Sequence, residues 1–207
     1  MRLIEAEHEG RQLYPVRGRS CSSNAIPVVG ERFESYHDFA LASLSEIYTA
    51  ESLQRSHLFS TNTLESGILI NDGRGHFEFR VLPRIAQASP SFGVVTTELD
   101  GDGIADIFLA QNFFGPQVET GRMDGGVGLL LRGQVPSAQN SGFTPIWPDR
   151  SGIVVSGDAT SALCTDANQD GRPDLLVAEN NGRIRSFLHQ AENSNSFLSI
   201  DVKNQRG

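Results

Sequence analysis

The 207-residue chain lacks any apolar run near the ~18 residues of a membrane span, so insertion by helices is not expected. It lacks a Lys/Arg cluster, and 17 basic residues stand against 25 acidic ones. A net charge of −8 with no basic face argues against a nucleic-acid partner. It has two cysteines, Cys21 and Cys164, without CxxC spacing. That number is too small for a disulfide scaffold; two buried free thiols are the simpler reading, and a bridge stays open. His8, His37, His57, His76 and His189 are scattered, with no HExxH or HxxxH pair. No Gly-x-Ser-x-Gly elbow, P-loop or dinucleotide fingerprint occurs. Catalytic machinery is therefore not expected, and the chain is read as a non-enzyme.

The composition that remains suits a loop-rich β-protein. Charged residues are 20% and apolar residues 38%, enough for a packed core, and there are 21 glycines. Glu5, Glu7 and Glu9 alternate as one face of a strand would, and residues 10–30 read as irregular, punctuated by Pro15, Gly18 and Pro27. Ser35 is placed to cap a helix carrying Phe39, Leu41, Leu44, Ile47 and Tyr48, with a second short helix over Ala50 to His57. From Gly67 the pattern changes to short strands: Ile68 to Ile70, a turn Asn71-Asp72-Gly73-Arg74-Gly75, and a return strand from His76 to Val81. Further strands are expected at 94–97, 107–110, 127–131, 175–178 and 183–188.

Two stretches carry the chemistry. The first is Glu98-Leu99-Asp100-Gly101-Asp102-Gly103-Ile104-Ala105-Asp106, and the second is Asp166-Ala167-Asn168-Gln169-Asp170-Gly171-Arg172-Pro173-Asp174. Both fit acid-x-Asx-x-Asp-Gly-x-x-Asp. Positions 1, 3, 5 and 9 are hard oxygen donors: Glu98, Asp100, Asp102 and Asp106 in one, Asp166, Asn168, Asp170 and Asp174 in the other. Glycine at position 6 permits the sharp turn, and position 7, Ile104 or Arg172, would offer its backbone carbonyl. An all-oxygen set disfavours zinc and copper, and a flexible loop favours calcium over magnesium. Two Ca²⁺ sites are expected.

An EF-hand would need a bidentate Glu at position 12, where this chain has Leu109 and Val177 inside apolar strands. The plainer alternative is a pair of solvated Asp/Gly turns. Two full matches in register with a strand repeat favour the metal. Seven of the 25 acidic residues lie in these two windows, and without a cation they repel.

These residues resemble the FG-GAP/VCBS repeat family, found in integrin α-subunit propellers and bacterial secreted proteins. Tyr14-Pro15-Val16-Arg17-Gly18-Arg19-Ser20-Cys21, the hairpin at 71–77, the stretch from Leu82-Pro83 to Ala88-Ser89-Pro90, and Ser151-Gly152 are similar to its cartilage-acidic-protein-like branch, which often carries a C-terminal ASPIC/UnbV domain. The resemblance implies an all-β chain, a partial β-propeller of about three blades with a short helical insertion. The division it implies is a partial blade and irregular segment over 1–34, a helical insertion over 35–58, blades over 59–196 and the start of a following module over 197–207.

It further implies a calcium-binding, secreted or surface-displayed module with a protein or glycan ligand, the metal being structural. An extracellular, periplasmic or surface location is expected, although Met1 to Glu7 show no signal-peptide core. The alternatives are a fragment of a propeller enzyme acting on polysaccharide, and a structural spacer.

Overall fold

The structure is a computed structural model that describes residues 3–118, 120–135 and 142–190. The chain divides into two compact units, Met1–Asn62 and Thr63–Gly207. The start of a further module expected over 197–207 lies outside the described residues.

The first unit opens with an antiparallel hairpin, β1 (Ala6–Glu9) and β2 (Gln12–Pro15), so Glu7 and Glu9 lie on a strand and Glu5 just before it. Two helices follow, α1 (Arg19–Ala25) and α2 (Pro27–Arg32), where the sequence reads as irregular. Pro27 misleads there: at the first helical position its missing N–H is no loss and its fixed φ suits the helix. The first expected helix is broken into α3 (Tyr36–Leu41) and α4 (Leu44–Tyr48), and the second, expected over Ala50 to His57, is α5 (Ala50–Gln54). Ser35 caps α3 as expected, its Oγ accepting from the Asp38 amide at 3.0 Å. A second cap interrupts the run, because Glu46 accepts from both the amide and the hydroxyl of Ser43. Val29, Phe39, Ala42, Leu44, Ile47 and Tyr48 form one buried cluster, with Ile4 and Leu13 from the amino-terminal residues against it.

The second unit is β-rich. A hairpin pairs β3 (Gly67–Asn71) with β4 (Phe77–Val81) around the expected turn. A four-stranded sheet follows in the order β5 (Ser91–Thr97), β6 (Asp106–Gln111), β7 (Leu129–Gly133), β8 (Phe143–Ile146). Helix α6 (Pro148–Ser151) leads to a three-stranded sheet of β9 (Ala159–Thr165), β10 (Asp174–Glu179) and β11 (Ile184–Phe187), with β10 central. All pairings are antiparallel. Strands β8 and β9 escape the sequence reading, since Phe143–Ile146 is short and holds Pro145 and Ala159–Thr165 is built largely of small residues.

The fold is thus broadly all-β in its second unit, built from several small antiparallel sheets, with a few short helices elsewhere. No closed ring of blades forms among the described residues.

Strand β6 explains how the layers stack. All of its residues are buried, because both of its faces are covered. Phe108 and Ala110 face the three-stranded sheet and pack with Val95, Val155, Ala159, Leu175 and Val177. Ile107 and Leu109 face the other way and pack with Leu129, Leu131, Leu82 and Ala86, with Ile68 of the hairpin alongside. At the opposite end from the acidic loops, Asn112 is fully buried at φ 86° and pins the stack. Its Oδ1 accepts from the Ser89 hydroxyl and the Gly126 amide, and its Nδ2 donates to the carbonyls of Gly126 and Gly157.

The two sheets approach most closely where β5 meets β9. A Cβ on Gly93 would lie 2.8 Å from the Ala162 nitrogen and 2.9 Å from Ser161 backbone, with no flexible side chain to give way. Gly93→Val is therefore expected to push the sheets apart and destabilise the unit by about 1–3 kcal/mol or more. Denaturant unfolding of variant and parent checks this, and an unchanged midpoint would refute the close contact.

Candidate metal centre

The two acidic stretches fold alike. Each begins after an edge strand of its sheet, β5 or β9, and ends at the first residue of the next, Asp106 or Asp174. Positions 4 and 6 both adopt positive φ: 81° at Gly101 and Gly103, 63° at Gln169 and 84° at Gly171. Glycine at position 6 was expected to make the turn. The left-handed residue at position 4 was not legible, because the second loop places Gln there at some conformational cost.

Position 9 anchors both loops by the same pair of bonds. Asp106 Oδ2 accepts from the Leu99 amide at 3.0 Å, and its Oδ1 accepts from the Gly133 amide at 2.7 Å. Asp174 Oδ2 accepts from the Ala167 amide at 2.9 Å, and its Oδ1 accepts from the His189 amide at 2.8 Å. Each aspartate thus ties the start of its loop to the chain at the far end of the neighbouring strand. Both are buried, Asp174 completely. Burial pushes the Asp106 carboxyl above its ordinary range; the two amides oppose this, and the nearby charges of Asp100 and Asp102 add to it. In metal-free protein Asp106 therefore adds stability as pH falls through its raised value, and that contribution is lost as pH rises.

The first loop gathers oxygens as the sequence implies. One carboxylate oxygen each from Glu98, Asp100 and Asp106 lie within 4.8 Å of one another, a cluster that could hold a metal ion. Asp102, expected as the fourth side-chain ligand, is not in this cluster. Its Oδ1 accepts from the Ile104 amide at 2.8 Å, and its Oδ2 lies 3.7 Å from Arg132 Nη2. Arg132 Nε also contacts Asp100 Oδ2 at 2.5 Å.

The second loop holds its donors to its own backbone, as the first holds Glu98 to the Asp100 and Gly101 amides and Asp100 to the Asp102 amide. Asp166 accepts from the amides of Asp170 and Gly171, and Asp170 Oδ1 accepts from the Arg172 amide. Asn168 Nδ2 donates to Asp170 Oδ2 at 2.9 Å, and this bond leads the effects that lower the Asp170 pKa. Asp166, Asp170 and Asp174 do not converge as the first three do; among the described residues only the first loop makes such a group.

Arg132, Gly133 and His189 are participants that sequence reasoning missed. They follow their loops at unequal distances, so no fixed spacing signals them. A groove of about 700 Å³ opens beside the first loop, lined by Asp100, Asp106, Arg132, Arg150, Phe108 and Phe187 among others. Both cysteines are free thiols, and burial raises the Cys164 pKa.

Because the position-9 aspartates serve the backbone, their loss should be felt without any metal. Asp174→Asn leaves one of the two buried amides facing an NH₂ group. It is expected to destabilise the protein by about 1–3 kcal/mol in EDTA as well as in calcium. Equal stability of variant and parent in EDTA, by denaturant unfolding, would show that the strut is not needed.

Set beside known proteins, the chain matches no family model, no curated protein and no solved structure, so the reading of this centre rests on its own geometry.

Proposed function

We propose that the chain is a calcium-stabilised segment of a β-propeller of the FG-GAP/VCBS kind, closest to its cartilage-acidic-protein-like branch. It serves as a non-catalytic binding or adhesion module outside the cytoplasm, with a protein or glycan as its ligand. The observation that carries this reading is the repetition of one loop conformation. Two loops share their left-handed positions and their double-amide aspartate, and each delivers the chain into the buried strand of a separate sheet. In the first loop three carboxylate oxygens are already gathered.

The residues present fit calcium. Glu98, Asp100 and Asp106, joined by Asp102 and the Ile104 carbonyl, would hold one ion. Asp166, Asn168, Asp170, Asp174 and the Arg172 carbonyl would hold the second. Every donor is oxygen, and the loops can adjust, as calcium tolerates and magnesium does not. The ions would relieve carboxylate repulsion and lock the loops to their sheets; two would halve the formal charge of −8.

The propeller reading draws further support from the stacking of hairpin and sheets as successive layers. The outer faces are apolar. Leu69, Phe77, Phe79 and Val81 are exposed on the hairpin, and Leu163 and Ile184 on the far side of the three-stranded sheet. These are faces that further blades would cover.

Thermal unfolding in EDTA and in about 10 mM calcium tests the reading, with magnesium as control. A site with a dissociation constant near ~10⁻⁴ M would add about 2.7 kcal/mol, a rise of roughly 5–10 °C per site. Asp170→Ala should remove the second loop's share of that rise. Identical melting in all three buffers would overturn the calcium role and the family reading that leans on it.

A further inference from the structure

The two loops differ in one respect that their sequences do not show. In the four-stranded sheet, Ile107 of β6 stands opposite Leu131 of β7; in the three-stranded sheet, Leu175 of β10 stands opposite Phe187 of β11. Arg132 follows Leu131 as Leu188 follows Phe187, and next come Gly133 and His189, whose amides close the two aspartate struts. The structurally equivalent position is thus arginine beside the first loop and leucine beside the second.

The guanidinium is inserted among the expected metal ligands. Its Nε meets Asp100 Oδ2 at 2.5 Å, and its Nη2 lies 3.7 Å from Asp102 Oδ2. Asp102 is also the one expected side-chain donor that stands outside the gathered oxygens. A divalent ion taking its full set of donors in this loop needs both carboxylates turned away from Arg132. The ion and the guanidinium also repel each other across a few ångströms.

We infer that Arg132 is a tethered counter-cation of the first loop: it neutralises Asp100 and Asp102 when no metal is bound, competes with calcium for them, and so sets that site's affinity below what its four carboxylates alone would give. This rests on the calcium reading above and adds the residue that regulates one of the two sites. The arginine is held by its strand, so its local concentration at the loop is constant. The side chain is 46% exposed, so it can swing into solvent when displaced. Among the described residues the second loop has no arginine or lysine at the equivalent position, which Leu188 holds; Arg172 and His189 act on Asp170 only as lesser charge effects behind its hydrogen bonds.

The test is calorimetric titration of the full chain with calcium chloride. Asp170→Ala cripples the second loop and leaves the first to be read alone. Adding Arg132→Gln to that variant should tighten the remaining site by roughly tenfold, the order of effect expected from removing one close positive charge. In EDTA the same substitution should lower the melting temperature, since the carboxylates lose their counter-ion; in saturating calcium the deficit should shrink or reverse. Arg150→Gln is the control, because Arg150 lines the same groove but makes no ion pair among the described residues. It should change the affinity less than about twofold.

An unchanged or weakened site in the Arg132→Gln protein, with calcium still bound, overturns the role of Arg132 and leaves the calcium reading standing. Equal tightening by Arg150→Gln also overturns it, since the effect would then be one of net charge. Absence of calcium binding in every variant overturns the calcium reading and this inference together.

Discussion

The structure of the second unit depends on a buried aspartate placed at the first residue of a strand. Removing a carboxylate from water is expensive unless hydrogen bonds replace the lost solvent. Asp106 and Asp174 meet that condition with two backbone amides each, one from the loop before the strand and one from the last residue of the adjacent strand or just past it. Loop, central strand and neighbouring strand are thereby joined at one side chain. The remaining carboxylates are arranged around that anchor, so whatever the loop binds is coupled to the sheet.

The layers are in turn held by the double burial of one strand of the four-stranded sheet. Strand β6 sends Phe108 and Ala110 to one side and Ile107 and Leu109 to the other, and each side finds an apolar layer. Alternation of side chains across a strand makes this possible, and a glycine at the tightest crossing permits it. The loop end of the stack is polar and charged. The opposite end is closed by Asn112, whose amide is satisfied by the backbone on both sides. The apolar centre is therefore bounded by two polar clamps of different chemistry.

The electrostatics of the loops follow from their neighbours as much as from their own residues. The first loop has four carboxylates and the second three, which alone would make the first the stronger cation trap. Arg132 changes that balance by standing among them. In both loops the carboxylates accept from their own backbone amides, and in the second Asn168 adds a side-chain bond in place of the arginine. Two loops with one sequence pattern thus present different starting states to a metal ion.

Much was legible in the sequence because the signals are local. The hairpin turn at 71–75, the Ser35 cap and the two acidic loops with their following apolar strands are short-range patterns, set by φ preferences, side-chain capping and the two-residue period of a strand. Elements with weak local signals were not legible. Strand β8 is short and interrupted by a proline, β9 is made largely of small residues, and both gain their order from pairing with β7 and β10. Helices α1 and α2 were hidden by Gly18 and Pro27, which read as breaks but stand at a helix N-cap and at a first helical position.

Of the site, the sequence alone determined which oxygen donors lie in each loop and where the turns fall, because a nine-residue loop is shaped by its own residues. Tertiary structure alone decided which donors converge, that Asp106 and Asp174 act as struts, and that Arg132 stands against Asp100 and Asp102. Those outcomes depend on groups brought together across strands, and the charge and burial they create exist only once the sheets have formed.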